Sequence, residues 1–255
     1  MAKNRKAACL FMPYLFLSPS TQENNLYVTG GSEEYWMNRL ADEVQPYLRA
    51  SGVNVTRNDP AGTAVTAIRL SNRGNYDFHL ALHSNAAPEG RYGTARGSIA
   101  FYYPGSSGGL AMANILVDNL RPIYPLPDLV RAEPSTTIGE LRQTRAPAVL
   151  LELAYHDNES DANWITENLP GIARAIALSV TEYFGLPFLS PGEEREATVT
   201  VSSGTLNLRG APSLNAPVLA SLPSGASVTV LNEYGDWLVV DYRGTVGYAS
   251  SVFIS

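Results

Sequence analysis

Short apolar runs alternate with helically spaced ones along the first three quarters of the chain. Residues 7–17, 53–56, 78–82, 98–103 and 148–153 read as strands, because each is brief, rich in apolar side chains and bounded by polar or turn residues. Between them, residues 33–50, 63–73, 109–120 and 171–184 carry helical spacing. In the first of these helices Met37, Leu40, Ala41, Val44 and Leu48 fall on one stripe and should face a sheet. The alternation predicts an α/β domain, a mixed sheet flanked by helices.

The pattern changes at Ser190-Pro-Gly-Glu-Glu-Arg-Glu196, a turn-rich and charged segment that reads as a linker. Beyond it, residues 197–255 form brief β-type runs separated by Gly, Pro and Asn turns, the pattern of a small all-β barrel. The expected organisation is a domain over 1–189, a linker over 190–196 and a module over 197–255. Each half carries a complete pattern and is expected to fold alone.

Composition narrows the function classes. The chain of 255 residues is 45% hydrophobic and 16% charged, ordinary for a globular protein, and no apolar run approaches the length of a membrane span. Its formal charge of -6 leaves no basic footprint for nucleic acid, and it gives no general attraction to an anionic cell wall. The one cysteine, Cys9, excludes an internal disulfide and reads as a packed thiol. Lys3, Arg5 and Lys6 ahead of an apolar stretch imitate a secretory signal. The stretch runs straight into a polar loop, Ser18-Pro-Ser-Thr-Gln22, so a first strand is the better reading. The expected protein is made in a bacterial cytoplasm without a conventional export signal.

Two strands end in side chains suited to chemistry. Tyr76-Asp-Phe-His-Leu-Ala-Leu-His-Ser-Asn-Ala86 delivers His83 from an apolar run into a small polar loop. Pro147-Ala-Val-Leu-Leu-Glu-Leu-Ala-Tyr-His-Asp-Asn158 places a carboxylate, Glu152, where a buried strand would not tolerate one unpaired. His79 shares a strand face with His83, but at roughly 3.3 Å per residue the two lie about 13 Å apart and cannot hold one ion. His79 is expected to pack under a helix or bond a neighbour. Glu33 and Glu34 both stand near the start of the first apolar helix face, and periodicity alone does not choose between them.

The order of these features resembles the zinc-dependent N-acetylmuramoyl-L-alanine amidases: a strand and Pro-containing loop, a Glu opening a helix, a strand ending His-x-Asn-Ala, and a late Pro-Ala-Val-Leu-x-Glu strand. The resemblance spans roughly residues 7–188. Residues 197–255 are similar to the bacterial SH3 module, through Leu206-Asn-Leu-Arg-Gly-Ala-Pro-Ser213, Leu222-Pro-Ser-Gly225, Gly235-Asp-Trp-Leu-Val-Val240 and Gly247-Tyr-Ala-Ser250.

What the resemblance implies is hydrolysis of the amide between N-acetylmuramic acid and L-alanine of peptidoglycan. A zinc ion would be held by His83, by Glu34 through the family's spacing to Asn38, and by a donor from the first loop. Here the chain departs from the family, because Pro19-Ser-Thr-Gln22 replaces Pro-Gly-His-Gly. Gln22 is the candidate oxygen donor, a weaker zinc ligand than imidazole, with His156 as an alternative. Glu152 aligns with the family's general base, a role that requires a desolvated carboxylate of raised pKa. Arg142 and Arg145 are candidates either to pair with Glu152 or to hold substrate carboxylates. In the module Tyr234, Tyr242 and Tyr248 are candidates for a wall-peptide groove, ahead of Trp237, which reads as core. Peptidoglycan is the implied partner, reached through lysis or a delivery machinery. The rival readings are a wall-binding protein without activity and a metal-dependent peptidase cutting within the stem peptide.

Overall fold

The computed structural model describes residues 13–255, so Cys9 and the start of the first apolar run lie outside the described residues. Strands β1 (Tyr14–Pro19), β2 (Asn54–Arg57), β3 (Phe78–Asn85), β4 (Ser98–Tyr102), β5 (Val130–Pro134) and β6 (Ala148–Tyr155) form one sheet in the order β2-β1-β3-β6-β4-β5. The first four in that order are parallel, and β4 joins β6 antiparallel. The sheet is mixed, as the alternation implies.

Its two faces are unequal. Leu15, Leu17, Leu80, Leu82, Val149 and Leu151 point into the main core, which is roofed by helices α1 (Glu33–Ala50), α3 (Ser107–Leu120) and α6 (Leu169–Phe184). Each fully buried aliphatic there contributes about 1.5–3 kcal/mol. The opposite face carries Ala81, Ala148 and Leu150 beneath α4 (Gly139–Arg142), with α2 (Ala64–Arg73) beside it. With two short helices as cover, this side leaves room at the strand ends. Helix α1 starts on Ser32, whose hydroxyl accepts from the Tyr35 amide, and its buried stripe is the expected one.

Sequence reading found no element at β5, α4 or α5 (Glu159–Glu167). Their reasons differ. Strand β5, Val-Arg-Ala-Glu-Pro, lies at the sheet edge and carries two charged residues in five, while α4 is a single turn. No helix of the described residues is long and apolar enough to cross a membrane.

The second unit is an antiparallel sheet of β7 (Arg195–Thr198), β8 (Thr205–Arg209), β9 (Val218–Pro223), β10 (Ser227–Tyr234), β11 (Trp237–Tyr242) and β12 (Thr245–Ser250), ordered β7-β10-β11-β12-β8-β9. Arg195 and Glu196, assigned to the linker from sequence, are instead the opening residues of β7, paired with Val230 and Thr229. One face closes around Val199, Leu208, Leu222 and Val240. The other does not face solvent. Leu231, Val239, Val246 and Tyr248 join the core of the first unit. The Asn54 side chain clasps the Val246 backbone with two 2.8 Å hydrogen bonds, and Arg49 pairs with Asp241 at 3.0 Å.

Candidate metal and catalytic site

Strands β1, β3 and β6 send their carboxyl ends to one edge. From neighbouring β1 and β3 the chain runs in opposite directions along the strand order, to β2 and to β4, the kind of switch point at which ligands usually bind in such folds. His83 and Glu152 stand in register on neighbouring strands and share the thinly covered face. The loop after β1 adds Gln22, and the first turn of α1 adds a carboxylate. That carboxylate belongs to Glu33.

Glu33 is 1% exposed, and its Oε1 lies 2.8 Å from His83 Nδ1. Glu34, selected from the family spacing, turns away, and its side chain accepts from Asn38 on its own helix at 3.3 Å. The reason is helical: Glu33 stands one turn before Met37 and two before Leu40, on the buried stripe. Gln22 Nε2 lies 3.4 Å from His83 Nδ1 and 3.5 Å from Glu33 Oε1. Asn25 braces both neighbours, donating to Gln22 Oε1 at 3.1 Å and to Glu33 Oε2 at 2.7 Å.

These three terminal groups form a triangle with sides of 2.8, 3.4 and 3.5 Å. Ligand bonds of about 2.0–2.1 Å in a tetrahedral zinc site place neighbouring donors about 3.3 Å apart. The triangle is near that size. One corner needs an adjustment, since turning the Gln22 amide exchanges its nitrogen for its oxygen and breaks the bond from Asn25. Among the described residues no three His, Cys, Asp or Glu side chains group to hold a metal, because the third corner here is an amide. The donor set fits zinc with that one rotation.

In the metal-free protein the surrounding charges favour the ionised forms of His83 and Glu33, so a zinc ion would have to displace a proton from the imidazole. Burial opposes a charge on His83, but the carboxylates of Glu140 and Glu33 outweigh it and lift the imidazole to about 10. Burial likewise raises Glu33, and the bonds from His83, Asn25 and Ser20 more than offset it, leaving its pKa below the usual range. Glu152 has no such help. Its Oε2 is enclosed without a hydrogen-bond partner, and burial, partly countered by His83 and reinforced by Glu33, pushes its pKa up to about 7.

A cavity of about 350 Å³ opens beside these groups, lined by Ser18, Ser20, Thr21, Gln22, Asn58, Thr63, His83 and Glu140 among others. Arg142 and Arg145 do not line it, and neither pairs with Glu152 among the described residues. Arg145 lies at the opposite end of the sheet, beside Tyr14, Asp77 and Pro147, where the strands begin. His156 is also displaced. It is buried against Ser84, bonded to its carbonyl at 2.9 Å, and Ser84 faces away from His83 by strand alternation. His79 is buried and bonds Ser71 and Glu140, so its role is support.

Glu140 is the residue that sequence reading missed outright. It is 4% exposed and meets both histidines of β3. Its signal was faint: a Glu between the apolar Ile138 and Leu141.

In the second unit Tyr248 is fully buried, its hydroxyl donating to the Ser51 carbonyl at 2.8 Å, so it cannot line a groove. Trp237, read as core, packs half-buried against the main core and also borders a cavity of about 380 Å³ with Leu206, Arg209, Leu214 and Phe253. Tyr234 is 48% exposed but lies outside that cavity.

Comparison with known proteins bears on the family and the fold. Residues 20–182 match the N-acetylmuramoyl-L-alanine amidase family, and residues 204–255 match the bacterial SH3 domain. A probable cell wall amidase of Staphylococcus saprophyticus is 27% identical over 154 residues, 60% of this chain and 50% of that protein. The chain thus spans about half the length of that curated relative. Among solved structures, the N-acetylmuramoyl-L-alanine amidase AmiC2 of Nostoc punctiforme superposes with a TM-score of 0.60 at 17% identity, covering 69% of this chain and 98% of that one. The catalytic domain of the amidase CwlV from Bacillus (Paenibacillus) polymyxa gives 0.60 at 18% identity, over 68% and 99%. At these identities the superpositions establish the fold, and the match over 20–182 establishes the kinship. The chain belongs to the N-acetylmuramoyl-L-alanine amidase family and continues into a bacterial SH3 domain.

Proposed function

We propose that this chain hydrolyses the amide joining N-acetylmuramic acid to L-alanine in peptidoglycan, with zinc held by Gln22, Glu33 and His83 and with Glu152 as general base. The observation that carries the reading is the convergence of those three donors beside an enclosed, unpartnered carboxylate. Zinc in such a site supplies Lewis-acid polarisation of the scissile carbonyl and of the attacking water. Glu152, whose pKa burial raises to about 7 in the metal-free protein, would take a proton from that water and return it to the departing alanine nitrogen. Burial does the tuning, since a solvated glutamate would be too weak a base.

Zinc binding tests the ligand set. Removing a carboxylate or imidazole from a site with three protein donors leaves too few, so Glu33→Ala and His83→Ala are expected to lose zinc on dialysis. Glu34→Ala is expected to keep it. Elemental analysis reads both, and zinc retained by Glu33→Ala but lost by Glu34→Ala would restore the family spacing. Release of an L-alanine amine from purified walls by the zinc-loaded protein tests the reaction. A different freed amine indicates a stem-peptide peptidase.

The rival, wall binding without hydrolysis, is favoured by one observation: the Gln22 amide presents its nitrogen to His83 and Glu33. No freed amine from any wall would establish it. In either case the SH3 domain is the proposed wall anchor, through the groove at Trp237 and Leu214, the latter 76% exposed. Trp237→Ala with Leu214→Ala is expected to weaken sedimentation with sacculi about tenfold or more, on the scale of losing an aromatic contact at an interface. Unchanged sedimentation would move the anchor elsewhere.

A further inference from the structure

Three donors converge on Glu140. Ser18 Oγ donates to its Oε1 at 2.6 Å, His79 Nε2 lies 3.1 Å from the same oxygen, and His83 Nε2 lies 3.3 Å from Oε2. Only an ionised carboxylate accepts all three at once. His79 is itself fixed, fully buried, stacked on Phe16 at 5.2 Å between centroids, with Nδ1 3.0 Å from Ser71 Oγ. Ser71, His79, Glu140 and His83 thus form one buried chain of hydrogen bonds ending at the imidazole of the site.

Both nitrogens of His83 face carboxylates, Nδ1 toward Glu33 at 2.8 Å with Gln22 beside it and Nε2 toward Glu140 at 3.3 Å. Only the Nδ1 side carries the other two candidate ligands, so a metal there would take the place of the Nδ1 proton while Glu140 keeps Nε2 as an N–H donor. We propose that Glu140, held by His79 and Ser18, is the positioning residue of the metal site, fixing the ring and tautomer of His83 so that it coordinates through Nδ1. The inference rests on the zinc site proposed above. A carboxylate on the far nitrogen of a ligating histidine orients the ring and strengthens it as a donor. Here the device follows from a glutamate on a one-turn helix, reaching between two histidines four residues apart on β3.

Glu140→Gln separates positioning from packing. The amide is nearly isosteric but has one acceptor oxygen and two donor hydrogens, so it cannot satisfy all three neighbours. If its nitrogen faces His83, Nε2 must become the acceptor, which places the proton on Nδ1, toward the metal. Zinc affinity is expected to fall ten- to hundredfold by chelator competition, the usual scale for such partners. The imidazole nitrogens can be read directly, because the chain has only three histidines. In ¹⁵N spectra of the zinc-loaded wild-type protein, His83 should show a protonated Nε2 and a metal-shifted Nδ1. Coordination through Nε2, or unchanged affinity in a folded Glu140→Gln variant, overturns the positioning role and leaves the zinc site standing. Absence of zinc from the wild-type protein overturns both. If the variant fails to fold, the wild-type spectrum decides alone.

Discussion

Glu152→Gln is expected to reduce hydrolysis by a hundredfold or more while retaining zinc and raising the stability of the metal-free protein above neutral pH. The catalytic loss follows from removing the group that moves the proton. The stability gain follows from linkage. Burial lifts the folded-state pKa from 4.5 to about 7, so below about pH 4.5 the carboxyl is neutral in both folded and unfolded chains and wild type and variant should match. As pH rises from 4.5 through 7, the unfolded chain ionises first and wild type loses stability. Above 7 the full difference is present, on the order of 3 kcal/mol. The variant, neutral throughout, is spared this loss. Denaturant melts of the metal-free proteins at pH 4.5 and 8 read the effect, and equal stabilities at pH 8 would show that Glu152 is not held desolvated. Activity of the zinc-saturated wild-type enzyme should rise with pH along an acid limb set by Glu152, lying below the metal-free value because the zinc charge favours the carboxylate.

The sequence disclosed what strand and helix periodicity encode. His83 and Glu152 are placed by apolar runs that end in polar loops, and the structure brings them into register on adjacent strands. The choice between Glu33 and Glu34 was also present, unread: extending the stripe of Met37, Leu40, Ala41, Val44 and Leu48 back by one turn lands on Glu33. Family spacing pointed one residue away. Glu140 was not legible, because its partners lie 61 and 57 positions away in sequence and its own element is a single turn. Arg145 fails for a similar reason, since nearness to Glu152 in sequence places it at the far end of an eight-residue strand. Tyr248 shows a third limit. Alternation in β12 separates two faces, but both are apolar, and nothing local says that one of them belongs to another domain's core.

Tyr248→Ala should therefore destabilise the amidase domain as well as the SH3 domain. Its ring is fully buried against Gly52, where even an added methyl would come within 2.4 Å of it, and Gly52 occupies a left-handed conformation at φ +80 that resists substitution. Removing the ring leaves a cavity between the domains and strips the Ser51 carbonyl of its donor. Large-to-small losses of this kind cost about 3–5 kcal/mol, or about 6–20 °C in Tm for domains of this size. Tyr248→Phe keeps the packing and loses only the hydrogen bond, about 1 kcal/mol. The interface also bears on dissection of the chain. A protein ending at Leu189 would uncover Gly52, against which Tyr248 packs, and leave Asn54 without its two bonds to Val246. It is expected to melt below the full chain, contrary to the independence implied by two complete sequence patterns. Thermal melts of the full chain, the two Tyr248 variants and the shortened protein form one series. Coincident melting of the shortened protein and the full chain would mean that the shared core contributes nothing, and that the SH3 domain is a tethered anchor with no structural role in its neighbour.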